Sequence, residues 1–187
     1  MIKRLILTCI LFIVGASFAL ALPLDIKNGD LVFRDGDEII SDIIKQVDNS
    51  GFSHVGMIWI SEEKGIQVIH STPSEHADIK DGVTVDSLDF FISRAKPNTV
   101  RFYRINSSDE ARKIAVKSAL DRVGENFSIY QGQGVYCTEL VVEAWSKAGV
   151  TINRGTRKLE MPIFSEREFI FPANLISSEN VILSQDD

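Results

Sequence analysis

Along this chain, stretches in which apolar residues recur every three or four positions alternate with stretches in which they recur every second position, so both helices and strands are expected. Gly29-Asp30 reads as a turn feeding a short strand over 31–34. Ile39, Ile40, Ile43, Ile44 and Val47 then stand at helical spacing within 38–47, and Asn49-Ser50-Gly51 breaks the pattern. Residues 52–60 are rich in β-branched and aromatic side chains. Alternation there puts His54, Gly56, Ile58 and Ile60 on one face and Ser53, Val55, Met57 and Trp59 on the other. The turn Glu62-Glu63-Lys64-Gly65 leads into an antiparallel neighbour over 66–71, and symmetry about Lys64 would put His54 near the start of one strand and His70 near the end of the other, at the same end of the ladder, where two histidines can touch.

The same reading continues down the chain. Asp86 is placed as the N-cap of a helix carrying Leu88, Phe91, Ile92 and Ala95. Residues 99–105 alternate as a strand, and Ser107-Ser108 caps a helix over 111–123 with Ile114, Ala115, Ala119, Leu120 and Val123 as its buried stripe. Gly124 to Gly134 is a polar, glycine-containing loop. Leu140, Val141, Ala144, Trp145 and Ala148 form a further helical stripe, which Gly149 ends as a left-handed cap residue. Residues 168–171 read as a last strand, followed by a short helical turn at 172–175 and a polar, acidic tail from 177 onward.

The N-terminus changes the cysteine count. Met1-Ile2-Lys3-Arg4, an apolar run to Leu20 and the Ala19-Leu20-Ala21 end have the form of a secretory signal peptide spanning 1–21, leaving 22–187 as a single domain without a stable membrane span. Cleavage there would remove Cys9 and leave Cys137 as the one cysteine, so no intramolecular disulfide is available. A lone thiol in an exported protein is either buried or used. The formal charge of -6 becomes -8 without Lys3 and Arg4, and no basic stripe offsets it, which argues against a nucleic-acid partner.

Cys137 falls in the first turn of its helix, where orphan N–H groups and the helix dipole favour a thiolate. A nucleophilic cysteine also needs a base, and the base needs an orienting group. His54 and His70, placed at one end of a strand pair, have the right chemistry for those roles. Zinc is disfavoured because His54, His70, His76 and Cys137 lack the short paired spacings of zinc sites, and no cofactor is called for.

Gly29-Asp30-Leu31-Val32-Phe33, Ser53-His54-Val55-Gly56-Met57 and Tyr136-Cys137-Thr138-Glu139-Leu140-Val141 together resemble the three signatures of the circularly permuted papain-like amidases, the permuted branch of the NlpC-type superfamily. The resemblance implies an α+β papain-like fold, permuted so that the histidine strands precede the nucleophile, with an antiparallel sheet of about five strands against the cysteine-bearing helix. It also implies Cys137 as nucleophile, His54 as base and His70 as the third residue, with Tyr136 and the Cys137 backbone N–H as oxyanion or substrate candidates. The third position is often glutamate in the bacterial enzymes and histidine in the related lecithin retinol acyltransferase group. Glu75 and His76 are alternatives for it. The expected function is a secreted or periplasmic cysteine hydrolase that opens an amide bond, with a cell-wall peptide as leading substrate. A lipid acyltransferase or esterase using the same residues, or a non-catalytic envelope binding protein, would also suit the chain.

Overall fold

The computed structural model describes residues 22–23, 25–36, 41, 44–45, 47–74, 81–129, 133–158 and 168–184. The signal-peptide segment 1–21, with Cys9, lies outside the described residues, as do Glu75, His76 and the Ile39, Ile40 and Ile43 positions of the first helical stripe. Ile44 and Val47 of that stripe are helical, as are Ser41 and Lys45 between 38 and 47. No helix of the described residues is long and apolar enough to cross a membrane.

Six strands form one sheet: β1 (Leu31–Arg34), β2 (His54–Ser61), β3 (Gly65–Thr72), β4 (Gly82–Ser87), β5 (Arg101–Ile105) and β8 (Val181–Leu183). Their order is β4-β3-β2-β1-β5-β8, every pairing antiparallel. A separate ribbon pairs β6 (Arg157–Lys158) with β7 (Glu168–Phe169). The helices are α1 (Leu88–Ser93), α2 (Asp109–Leu120), α3 (Cys137–Lys147) and α4 (Pro172–Ile176). This is the expected α+β class, with six strands rather than about five. Two strands are added that the sequence reading did not name, β4 and β8, the latter a short apolar run in a polar tail that gains its ladder only by lying beside β5, while the strand read at 168–171 is instead β7 of the separate ribbon.

Alternation gives the sheet two apolar faces. Leu31, Phe33, Val55, Met57 and Ile69 pack with Ala115 and Ala119 of α2 and with Leu140, Val141, Ala144 and Trp145 of α3. Val32, Ile58, Val68 and Phe102 turn the other way, onto Leu88 and Phe91 of α1. Two parts of the α2 reading are corrected. The helix runs Asp109–Leu120, capped by Ser108, and its buried residues include Arg112 and Val116, while Ile114 is 42% and Val123 48% exposed. The inner stripe is rotated toward Arg112 because that side chain has a buried partner just before β1.

That partner is Asp30. Its carboxylate accepts from Arg112 Nη1 at 2.7 Å, from the Lys27 N–H at 2.9 Å and from the Ile105 N–H at 3.2 Å. Arg112 also donates to the carbonyls of Asn28 and Ile105, so the pair is fully bonded although both residues are buried. Beside it Gly29 adopts φ +85°, and an added Cβ would lie 2.7 Å from the Trp145 ring, whose Nε1 donates to the Gly29 carbonyl. The Gly-Asp-Leu motif is thus a joint that fixes β1 to α2 and α3. Through α3, it fixes the position of Cys137.

Candidate active site

The β2–β3 ladder turns about Glu63, with Ser61 paired to Gly65, Ile58 to Val68 and Met57 to Ile69. Continuing that register sets His70 across from Gly56, so His54 and His70 are diagonal neighbours, closer together than a turn about Lys64, which would set His54 across from Ser74, would have brought them. His54 Nε2 and His70 Nδ1 are nevertheless 2.9 Å apart. Gly56 makes this diagonal possible, since a Cβ there would stand 2.2 Å from Val68 Cγ1 and 3.2 Å from His70 Cβ. Gly56→Ala is therefore expected to lower stability by about 1–3 kcal/mol through overpacking. Thermal unfolding measures it, and an unchanged midpoint would show that Val68 and His70 can give way.

Neighbouring elements complete the histidine pocket. His70 Nε2 lies 2.9 Å from Asp86 Oδ2 on β4. The Phe91 ring of α1, fully buried, stacks on His54 and meets His70 edge-on. Arg34, on β1 opposite His54, places its guanidinium 4.4 Å from the Phe91 ring centre and donates to the Phe91 carbonyl at 2.8 Å. Burial pushes the His54 imidazole well below its ordinary range, and the nearby Arg34 charge and His70 push it the same way. His54 is neutral at physiological pH.

Asp86 corrects the sequence reading. The helix cap is Ser87, whose Oγ accepts from the Phe90 N–H, while Asp86 remains in β4. Asp86 pairs with Val68 and His70 with Thr84, so the carboxylate and the imidazole share a face. Asp86 and Ser87 are equally good caps in isolation. What separates them is strand parity, because only the residue two places from Thr84 faces His70. Arg34 and Phe91 are also missing from the sequence-derived site, having been read as a strand end and a core position.

Cys137 opens α3, as its apolar spacing predicts, and Gly149 follows the helix at φ +76°. Glu139 fastens the helix start by accepting from the Tyr136 N–H at 3.0 Å. Thr138 Oγ1 donates to the Ile170 carbonyl at 2.6 Å, and Ser71 Oγ donates to the Val135 carbonyl at 2.7 Å. The thiol is fully buried. Burial pushes it up to about 12, although the Tyr136 hydroxyl and the backbone N–H groups of Val55 and Thr138 favour the thiolate. The dipole-activated thiolate expected from the sequence is therefore not the resting form: loss of solvation outweighs the helix terminus. Tyr136 is itself buried, its phenol raised well above the usual range by burial first and by Cys137 second.

The structure joins His54, His70 and Asp86 by hydrogen bonds, and it sets Cys137 against the backbone of Val55, the residue after His54. Among the described residues no hydrogen bond links Cys137 to His54. The thiol belongs to the core on the α3 face of the sheet, whereas the His54 ring packs on Phe91 of α1. A groove of about 690 Å³ lined by Ile26, Lys27, Trp59, Ile60, Lys113 and Val116 lies elsewhere. Trp59 is five residues along β2 from His54, about 16 Å at a strand's rise, so that groove is separate from the cysteine and histidines.

Residues 25–186 match a family model described as permuted papain-like amidase enzyme, YaeF/YiiX, C92 family. Among solved structures the chain is similar to the crystal structure of the metalloprotein YiiX from Escherichia coli O157:H7, with 18% sequence identity and a TM-score of 0.71 over 86% of this chain and 97% of that one. No curated protein matches the chain.

Proposed function

Since this chain belongs to the permuted papain-like amidase family, and is on that ground a cysteine hydrolase, we propose that it opens an amide bond in a cell-envelope peptide through an acyl-enzyme on Cys137. The observation that carries the site assignment is the approach of Cys137, at a helix start, to the backbone next to His54, whose ring is already held by His70. Envelope location rests on the signal-peptide form of residues 1–21.

In this reading the substrate carbonyl draws the thiol and the imidazole into contact. Cys137 Sγ gives its proton to His54 and attacks the carbonyl carbon. The first N–H groups of α3, which lack intrahelical partners, stabilise the resulting oxyanion. His54 then protonates the departing amine, leaving a thioester. Water, deprotonated by His54, hydrolyses that thioester and restores the thiol. In the resting protein no hydrogen bond joins the two groups, so the mechanism requires their contact to form when substrate binds.

His54 Nε2 and His70 Nδ1 face each other, His70 Nε2 faces Asp86, and the described residues contain no group of three metal-binding side chains arranged around an ion. No step here runs through one.

The test is turnover of muropeptides and, in parallel, of lipid esters by the wild-type protein, with mass spectrometry of the protein during the reaction. An acyl adduct on Cys137 and release of an amine from a peptide are expected, and Cys137→Ala or His54→Ala should each lower turnover by about a thousandfold or more. Turnover of lipid esters alone would move the substrate class. Undiminished turnover in Cys137→Ala would end the assignment.

A further inference from the structure

We infer that Asp86 is a positioning residue that selects, through His70, the tautomer in which His54 can act as a base; the catalytic half of this statement rests on the hydrolase reading above. The argument is one of counting protons. An aspartate carboxylate only accepts hydrogen bonds, so at 2.9 Å from Asp86 Oδ2 the His70 Nε2 carries the hydrogen. A neutral imidazole has one N–H, so His70 Nδ1 is then an acceptor. The facing His54 Nε2, 2.9 Å away, must supply the hydrogen of that second bond. His54 Nδ1 is left with its lone pair.

The reverse arrangement fails at the carboxylate. If His70 carried its hydrogen on Nδ1, its Nε2 lone pair would face the Asp86 oxygens with no hydrogen between them. His54 would then accept at Nε2 and hold its hydrogen on Nδ1, leaving no nitrogen free to take a proton from Cys137. With His70 neutral, Asp86 therefore excludes the unproductive tautomer two hydrogen bonds away from where the chemistry occurs. When Cys137 loses its proton, that proton goes to His54 Nδ1, and the Nε2–H remains on His54, donating to His70. His70 likewise keeps its Nε2–H toward Asp86. No proton travels to the carboxylate, and charge is conserved: a neutral thiol and imidazole become a thiolate and an imidazolium.

The surroundings give the lock a purpose. The groups facing the histidine pair are Arg34 from β1, Asp86 from β4 and Phe91 from α1. Arg34 opposes formation of the imidazolium, and Phe91 contributes no hydrogen bond. Asp86 is thus the negative charge that faces the developing positive one, transmitted through the His70 ring.

Long-range proton–nitrogen NMR correlation of protein labelled at histidine reads tautomers directly, and the chain holds three histidines. Near neutral pH, His54 and His70 are both expected to carry hydrogen on Nε2 and none on Nδ1. A hydrogen on Nδ1 of either ring would overturn the inference. In Asp86→Ala, His70 and His54 should become tautomer mixtures, and kcat for the turnover described above should fall about 10- to 100-fold with KM little changed. Ser87→Ala is the control for structure, because it uncaps α1 at the same corner without touching His70: it should lower stability and leave both tautomers in place. If Asp86→Ala merely mimics Ser87→Ala, Asp86 is structural and the inference falls. Expected tautomers in a protein whose Cys137 never acylates would instead sink the hydrolase reading and leave the tautomer lock standing.

Discussion

Iodoacetamide is expected to modify Cys137 of the folded protein at neutral pH about a thousandfold more slowly than the same cysteine after unfolding. The thiolate is the reactive form, and its population falls tenfold for each unit by which the pKa rises. Burial pushes Cys137 up to about 12 from its ordinary value of 9.0. Full burial of the residue adds a steric barrier on top. A fast reaction that reached a plateau well below pH 8 and vanished in His54→Ala would show a preformed ion pair and overturn this account.

The same groups make a statement about stability. An unfolded Cys137 ionises above pH 9 while the folded one stays protonated to about 12, so its contribution is fully present below pH 9 and is lost as pH rises through that interval. Its full size is of the order of 4 kcal/mol. His54 acts on the acid side. Its folded pKa is depressed, so below the unfolded value of 6.5 the unfolded chain binds a proton that the folded chain refuses, and stability falls as pH drops. Urea unfolding across pH should therefore show greatest stability between about 6.5 and 9, the range in which both partners are neutral. Within it the protein stores an unreactive pair that substrate must bring together.

Asp30→Ala is expected to cost about 3–5 kcal/mol, the usual penalty for stranding one member of a buried ion pair. Arg112 would keep its charge in a site where it is buried, and the N–H groups of Lys27 and Ile105 would lose their acceptor. For a domain of this length the thermal midpoint should fall by about 10 °C or more. Arg112→Ala should cost a similar amount, and the double variant less than the sum, because each single change already strands the other member of the pair. Calorimetry of the three variants measures this, and a loss below about 1 kcal/mol for Asp30→Ala would mean that water replaces the carboxylate. Because Asp30 sits beside the Gly29–Trp145 contact on α3, any surviving Asp30→Ala protein should also hold Cys137 less firmly against Val55.

Local pattern was enough for the elements and for the general chemistry. Alternation along 52–60 correctly separated His54, Gly56 and Ile58 from Val55 and Met57, because side-chain direction in a strand depends only on position parity. Helical spacing and Gly149 placed α3 with Cys137 in its first turn, since caps and stripes are short-range features. The three signature segments led to the right family. Position along the chain says nothing, however, about which face of a sheet a distant helix covers or how much water it excludes. That Asp86 faces His70 depends on the β3–β4 register, and that Phe91 stacks on His54 depends on where α1 folds back. The unreactive state of Cys137 has the same origin. A helix terminus is written in the sequence and favours the thiolate, but desolvation is the sum of everything packed around the sulfur, and only the assembled core makes that sum large enough to win.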